Sequence, residues 1–242
     1  MKNAVCLLSG GLDSAVTAYA AKHDGYTIHA LSFSYGQRHD RELASAKAIA
    51  ESLGAMDHKI LTLPLDQIGG SSLTSAEPVC DHAFENIGAE IPRTYVPARN
   101  TIFLSFGLAY GEVVGAESLY IGVNAVDFSG YPDCRPEYVT AFQRLAEVAT
   151  KQAVEGCPIK IQAPLLTLSK ADIVRLGIQL KVPFEKTWSC YRGGAKACGR
   201  CDSCLLRLRG FQDAGIPDPL PYETYPAWYT LNKPGKTQKQ KE

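Results

Sequence analysis

Apolar residues along this chain fall in short runs separated by stretches with helical spacing. Ala4-Val5-Cys6-Leu7-Leu8 is a continuous run, long enough for a strand buried on both faces. Ala15-Val16-Thr17-Ala18-Tyr19-Ala20-Ala21 then reads as a helix with alanine on its packed side, closed by Asp24-Gly25. Residues 26–33 give a second strand. Asp40 caps a helix over 41–53, which Gly54 ends, and 58–63 is a third strand. Strand, helix, strand, helix, strand with short links predicts an α/β fold, a doubly wound parallel sheet with helices on both faces.

The pattern breaks over residues 64–93. Gly69-Gly70-Ser71-Ser72 and the acidic stretch 81–90 predict a long loop, which in a compact domain is functional or disordered. Regular spacing resumes with a helix over 101–114, with Asn100 as its cap and Gly115 as its end, and a strand over 118–122. A long helix is predicted over 137–154, with Phe142, Leu145, Val148 and Ala149 on one side. A strand over 158–161 and a helix over 170–180 follow, the latter capped by Ser169 with Asp172. From 226 onward no apolar period remains, so 226–242 is predicted to be a mobile tail on a single domain, 1–225.

Composition narrows the class. The 242 residues are 45% apolar, enough for the core of one α/β domain. A formal net charge of zero gives no electrostatic case for a nucleic-acid or membrane partner. No apolar run approaches the ~20 residues a bilayer requires. Met1-Lys2-Asn3 leads straight into the first strand, so no signal peptide is expected and a cytoplasmic setting is. Eight cysteines in a reducing compartment are not expected to form disulfides.

The first strand–helix link carries the chemistry. In Ser9-Gly10-Gly11-Leu12-Asp13-Ser14 two glycines let the backbone bend, and the unpaired N–H groups of the following helix point into the loop, an arrangement that binds phosphate. Asp13 beside a polyphosphate implies a bridging Mg²⁺. The common G-x-x-x-x-G-K-[ST] loop is absent. The stretch resembles the SGGxDS signature of the PP-loop ATP-pyrophosphatases, which split ATP between the α and β phosphates; a ligand-free glycine turn is the bland alternative. In doubly wound sheets ligands sit at the carboxyl ends of strands, and the loop 35–39 shares that edge, so Arg38 and His39 are within reach of phosphates, unless His39 is a solvated loop histidine. Arg99, at a helix entrance, suits an anion. Lys170, at a helix start where the dipole disfavours it, either neutralises a phosphate or is exposed.

Two further stretches matter. Residues 123–137 combine Asp127, Asp133, Glu137, Arg135, Phe128 and Tyr131 after a strand, a mixture suited to a flat polar heterocycle: an aromatic stacks on it, a carboxylate takes its N–H groups, and an arginine pairs with a substrate carboxylate. A solvated loop ending at Pro136 is the alternative. Cys190, Cys198, Cys201 and Cys204 form C-x7-C-x2-C-x2-C, four thiolates for a tetrahedral Zn²⁺ with no open position, hence a structural site over 187–214. An iron–sulfur cluster or redox thiols are the rivals. Cys80 and His82 lack further ligands and are read as chance neighbours. Cys6 and Cys157 read as packing residues, and Cys134 lies in the ligand-like loop.

The whole chain resembles the 7-cyano-7-deazaguanine synthase family of PP-loop ligases. The likeness runs through SGGLDS, YGQRHDRE, VPARN, GVNAVDFSGYPDCRP, PLLTLSKADIV, TWSCYRGG and the cysteine cluster. The resemblance implies an adenine nucleotide alpha hydrolase-like fold and a reaction joining 7-carboxy-7-deazaguanine, ammonia and ATP in queuosine biosynthesis. It implies that Leu8, Ser9, Gly10, Gly11, Leu12, Asp13, Ser14, Ala15, Val16, Thr17 and Ala18 bind ATP, and that Asp13 with Mg²⁺, Arg99 and Lys170 act on the phosphates. Asp127, Asp133 and Arg135 become candidates for the deazaguanine. One structural Zn²⁺ per chain and a homodimer are also implied. Rival readings are a PP-loop tRNA thiolase, which needs a basic face and a thiol relay, a glutamine amidotransferase, for whose second domain there is no room, and a non-catalytic nucleotide-binding zinc protein.

Overall fold

The computed structural model describes residues 2–37, 40–75, 77, 91–124 and 130–231. Five strands, β1 (Asn3–Leu7), β2 (Thr27–Ser34), β3 (Asp57–Thr62), β4 (Ala116–Tyr120) and β5 (Lys160–Gln162), form one parallel sheet in the order β3-β2-β1-β4-β5. The chain works outward from β1 to β3 and then returns to the other side of β1. The order therefore reverses between β1 and β4, and a crevice opens there beyond their carboxyl ends.

Alternation along the strands feeds two layers. Ala4, Cys6, Ile28 and Ala30 face α1 (Leu12–His23), α2 (Arg41–Leu53) and α6 (Lys170–Gln179), packing with Val16, Ile49, Leu53 and Ile173. Val5, Leu31 and Phe33 face the opposite layer, with Leu104 and Leu108 of α3 (Arg99–Val113) and Phe142 of α4 (Pro136–Ala146). A third cluster surrounds Trp188, the four clustered cysteines and Leu208 of α7 (Asp202–Ala214). No helix among the described residues is long and apolar enough to cross a membrane.

The helix predicted over 137–154 is two. α4 stops at Ala146, and α5 (Lys151–Val154) starts anew where the Thr150 hydroxyl accepts from the Ala153 N–H at 3.1 Å. Leu145 and Val148 are exposed, while Phe142 and Ala146 are buried. A polar residue takes the inward place between them. Gln143 accepts from the Ile161 N–H at 2.7 Å and donates to the Ile159 carbonyl at 3.4 Å, closing the open edge of β5. Residues 226–231, expected to belong to a mobile tail, are held against the domain. Tyr229 is buried, its hydroxyl accepts from the Asp218 N–H at 3.1 Å, and Gln212 of α7 holds both Thr230 groups at 2.9 Å. Cys157 is exposed rather than packed, whereas Cys6 is buried.

Arg207 is the most heavily bonded buried cation. It forms two bonds to Asp218, at 2.7 and 2.9 Å, and donates to Thr187 Oγ1 at 2.7 Å and to the Phe184 carbonyl at 3.2 Å. Burial works against its charge, but Asp218 outweighs burial and its pKa is raised. Replacing Arg207 by Met leaves the Asp218 carboxylate buried without a countercharge, a change expected to cost about 3–5 kcal/mol. Urea unfolding measures it, and a loss below about 1 kcal/mol, the worth of an exposed ion pair, would contradict the assignment.

Candidate functional site

β1 delivers the loop 8–14 to the crevice. There the Ser14 hydroxyl accepts from the Ser9 N–H at 3.2 Å and donates to the Gly11 carbonyl at 3.1 Å, and Ser9 Oγ takes the Gly11 N–H at 3.3 Å. These bonds close the loop on itself. No side chain caps α1 at Gly11, so the first-turn amides stay available for an anion. Gly10 has φ +84°, and a Cβ on it would meet the Glu42 carbonyl of α2 at 2.2 Å. Gly122, after β4, also lies close to the loop: a Cβ there would meet the Ser14 nitrogen at 3.0 Å.

Asp13 and Lys170 meet although 157 residues separate them: Nζ to Oδ2 is 2.7 Å, with the lysine side chain only 13% exposed. The exposed-lysine alternative is thereby excluded. Gly210 of α7 makes room, since a Cβ there would lie 2.5 Å from Lys170 Cγ. Asp13 Oδ1 is buried with no hydrogen-bond partner. An unsatisfied carboxylate oxygen beside a phosphate loop fits a hard divalent cation.

The cavity over this loop measures about 680 Å³ and runs from Ser9, Asp13 and Lys170 to an aromatic end at Tyr35, Tyr131 and Tyr191. Its volume suits a nucleotide or comparable small molecule. Arg99 lies at that end, 3.5 Å from the Tyr35 hydroxyl and with its guanidinium carbon 5.9 Å from the Tyr35 ring centroid. Burial alone would lower its pKa, but Tyr35, Tyr131, Cys134 and Asp133 raise it above the ordinary value, so the charge persists. Glu42 also lines the cleft, and burial lifts its carboxyl to about 7, Arg99 lowering it and the Cys190 sulfur raising it.

The predicted substrate contacts fare differently. Asp127, with Arg38, His39, Cys80 and His82, lies outside the described residues. Arg135 is exposed and does not line the cleft. Asp133 is buried beneath it, where Oδ2 accepts from the Asn100 N–H at 2.9 Å and its carbonyl accepts from Asn100 Nδ2 at 3.0 Å. Asn100 is therefore not the cap of α3. Ala98 holds that place at φ 53°, and the acceptor for the first turn comes from Asp133. Of the predicted nucleotide residues, Leu8, Ser9, Gly11, Leu12, Asp13 and Ser14 line the cleft, Gly10 packs against α2, and Ala15, Val16 and Ala18 lie in the core. Tyr131, one of the aromatics singled out in 123–137, lines the cleft as well, and Tyr35, Glu42, Trp188, Tyr191 and Arg207 line it and escaped the sequence reading. Several stand inside the quoted stretches YGQRHDRE and TWSCYRGG, the only signal they offered.

Cys190, Cys198, Cys201 and Cys204 are all buried, their sulfurs within 4.8 Å of one another. Four ligands at 2.3 Å around a tetrahedral ion would stand about 3.8 Å apart, so little adjustment is needed. Backbone N–H groups of Arg192 and Cys198 donate to the Cys190 sulfur at 3.4 and 3.3 Å, as suits thiolates. The group can hold a metal. It is joined to the phosphate loop: the Trp188 N–H donates to the Gly10 carbonyl at 2.8 Å, and its indole N–H donates to the Cys190 carbonyl at 2.9 Å. Arg41 of α2 covers the Trp188 ring at 4.1 Å.

The model of the family described as "Queuosine biosynthesis protein QueC" matches residues 3–215. A 7-cyano-7-deazaguanine synthase of Thermosynechococcus vestitus is 56% identical over 227 residues, 93% of this chain and 97% of that one. Its namesake from Thermoplasma acidophilum is 54% identical over 228 residues, 94% of this chain and 95% of that one. Among solved structures, the NMN synthetase of Francisella tularensis has 20% identity and a TM-score of 0.48, covering 89% of this chain and 78% of that one.

The bond between Trp188 and Gly10 predicts that the cysteine site supports the loop 8–14. A metal that the unmodified chain holds, read by atomic absorption, should be absent from Cys201→Ser, and ATP binding in calorimetry should weaken, although Cys201 is no part of the loop. Unchanged ATP affinity in the metal-free variant would contradict the coupling.

Proposed function

The chain belongs to the queuosine biosynthesis protein QueC family, and from that membership we propose that it converts 7-carboxy-7-deazaguanine, ammonia and ATP to 7-cyano-7-deazaguanine. A carboxylate is a poor acceptor for ammonia because its leaving group would be oxide. Transfer of AMP to a carboxylate oxygen makes an acyl-adenylate, from which AMP leaves readily. Ammonia then gives the amide. Adenylation of the amide oxygen and a second loss of AMP give the nitrile. The same carbon is thus activated twice at one site.

The residues suit that course. The amides of the loop 9–14 and the start of α1 hold the phosphates. Asp13, through its free Oδ1, would hold Mg²⁺, which when bound neutralises phosphate charge. Lys170, held against Asp13 and the loop, carries charge to the leaving pyrophosphate. Arg99 and the rings of Tyr35, Tyr131 and Tyr191 form the end of the cleft that takes the flat heterocycle and its carboxylate. Catalysis rests on positioning and charge neutralisation rather than a covalent nucleophile. Asp133 acts indirectly by fixing the start of α3 and so Arg99. The four cysteines hold a structural Zn²⁺. Substrates are free small molecules, with no nucleic acid or membrane required, and a cytoplasmic homodimer is the expected assembly.

The observation that carries this reading is the convergence of Asp13, Lys170 and Arg99 on one cleft in a chain matched by the family over most of its length. Purified protein with the three substrates should yield the nitrile by mass spectrometry, together with pyrophosphate. ATP binding without substrate-dependent turnover would instead indicate a nucleotide-binding protein.

Lys170→Ala should slow pyrophosphate release by about 10²–10³-fold, the usual loss when one transition-state donor is removed. A change within threefold would remove Lys170 from the phosphates. Asp133→Ala should lower stability by roughly 0.5–2 kcal/mol, as loss of a helix cap does. A variant of unchanged melting temperature but raised KM for the carboxy substrate would restore Asp133 as a direct contact.

A further inference from the structure

We propose that Glu42 forms the ammonium subsite of this cleft: its carboxylate holds NH₄⁺ next to the reacting carbon and takes the proton that frees the nucleophilic lone pair. The inference rests on the ligase reading above and adds the residue that handles its third substrate.

Placement is the first argument. α2 is pressed against the phosphate loop so closely that Gly10 can carry no side chain beneath the Glu42 carbonyl. Glu42 is therefore fixed beside the loop at Gly10, and it lines the same cavity as Ser9, Tyr35 and Arg99. Its backbone adjoins the loop at Gly10 and its carboxyl interacts with the Arg99 charge at the aromatic end, so Glu42 joins the two parts of the cleft between which the activated carbon must sit.

Charge is the second. The cavity's other functions draw on Lys170 and Arg99, which serve anions and repel ammonium. Asp13 is committed to Lys170. Asp202 sits beside the metal ligand Cys201 at the start of α7 and already has a partner. A small cation entering the cleft needs a carboxylate, and among the described residues Glu42 is the one lining it that has no role in the steps above. Burial supports the second half of the task, since a carboxyl lifted to about 7 accepts a proton readily near neutral pH.

The step balances. NH₄⁺ gives one proton to the Glu42 carboxylate, and the freed nitrogen lone pair forms the C–N bond at the acyl carbon. The C–O bond to AMP breaks and its electron pair leaves on AMP. The second surplus proton passes from nitrogen to solvent, leaving the amide.

Steady-state kinetics of Glu42→Gln tests this. The KM for ammonium should rise about 10–100-fold, the worth of one hydrogen bond to a charged group, while the KM values for ATP and the carboxy substrate stay within about threefold. Hydroxylamine, neutral at pH 7, has its lone pair free before attack, loses its one surplus proton to solvent afterwards, and should form the hydroxamate at nearly the rate seen with the unmodified chain. Glu42→Asp should recover part of the ammonium affinity. An unchanged KM for ammonium, or equal losses with ammonium and hydroxylamine, would overturn the proposal. Carboxy-substrate-dependent exchange of pyrophosphate into ATP, run without ammonia, separates the two failures. If the unmodified chain shows none, the ligase reading itself fails. If Glu42→Gln alone lacks it, Glu42 serves the loop rather than ammonium, and the proposal falls.

Discussion

The cleft depends on one crowded turn. At Gly10 the backbone takes a positive φ, lets α2 approach to a distance that excludes any side chain, and offers its carbonyl to the Trp188 N–H. Three segments far apart in sequence meet there: the end of β1, the first turn of α2 and the strand-like lead into the cysteine cluster. The N–H groups of the loop and of the first turn of α1 are held by this contact. The turn has no regular structure of its own, because it sits between a strand that has ended and a helix that starts at Leu12.

Electrostatics is arranged around that turn in layers. Asp13 and Lys170 cross-link α1 to α6 at the floor, leaving one carboxylate oxygen open. Arg99 stays charged amid phenol rings at the far end. At the wall of the cleft, Arg207 and Asp218 tie the segment after α6 to α7 and to residues up to Tyr229. The four clustered cysteines hang on the same segment, and Trp188 and Tyr191 beside them are part of the wall of the cleft.

Much of this was legible in the sequence because it is local. Strand and helix periods, the Gly54 and Ser169 caps, the glycine turn and the cysteine spacing each follow from neighbouring residues, and each appears in the structure. What stayed hidden depends on partners far along the chain. Asp133 read as a ligand because its charge was visible, while the Asn100 amide that it serves was not. Gln143 interrupted an apolar stripe because an edge strand needed a donor and an acceptor. Ala15, Val16 and Ala18 adjoin the loop but turn into the core, which spacing along a helix could have said.

The central claim is that the cleft presents the innermost phosphorus of ATP to a substrate carboxylate. Substrate carrying ¹⁸O in both carboxyl oxygens tests it in one reaction. The account predicts one label in each of two AMP molecules released per nitrile formed. Label recovered in inorganic phosphate, with ADP as the nucleotide product, would contradict it.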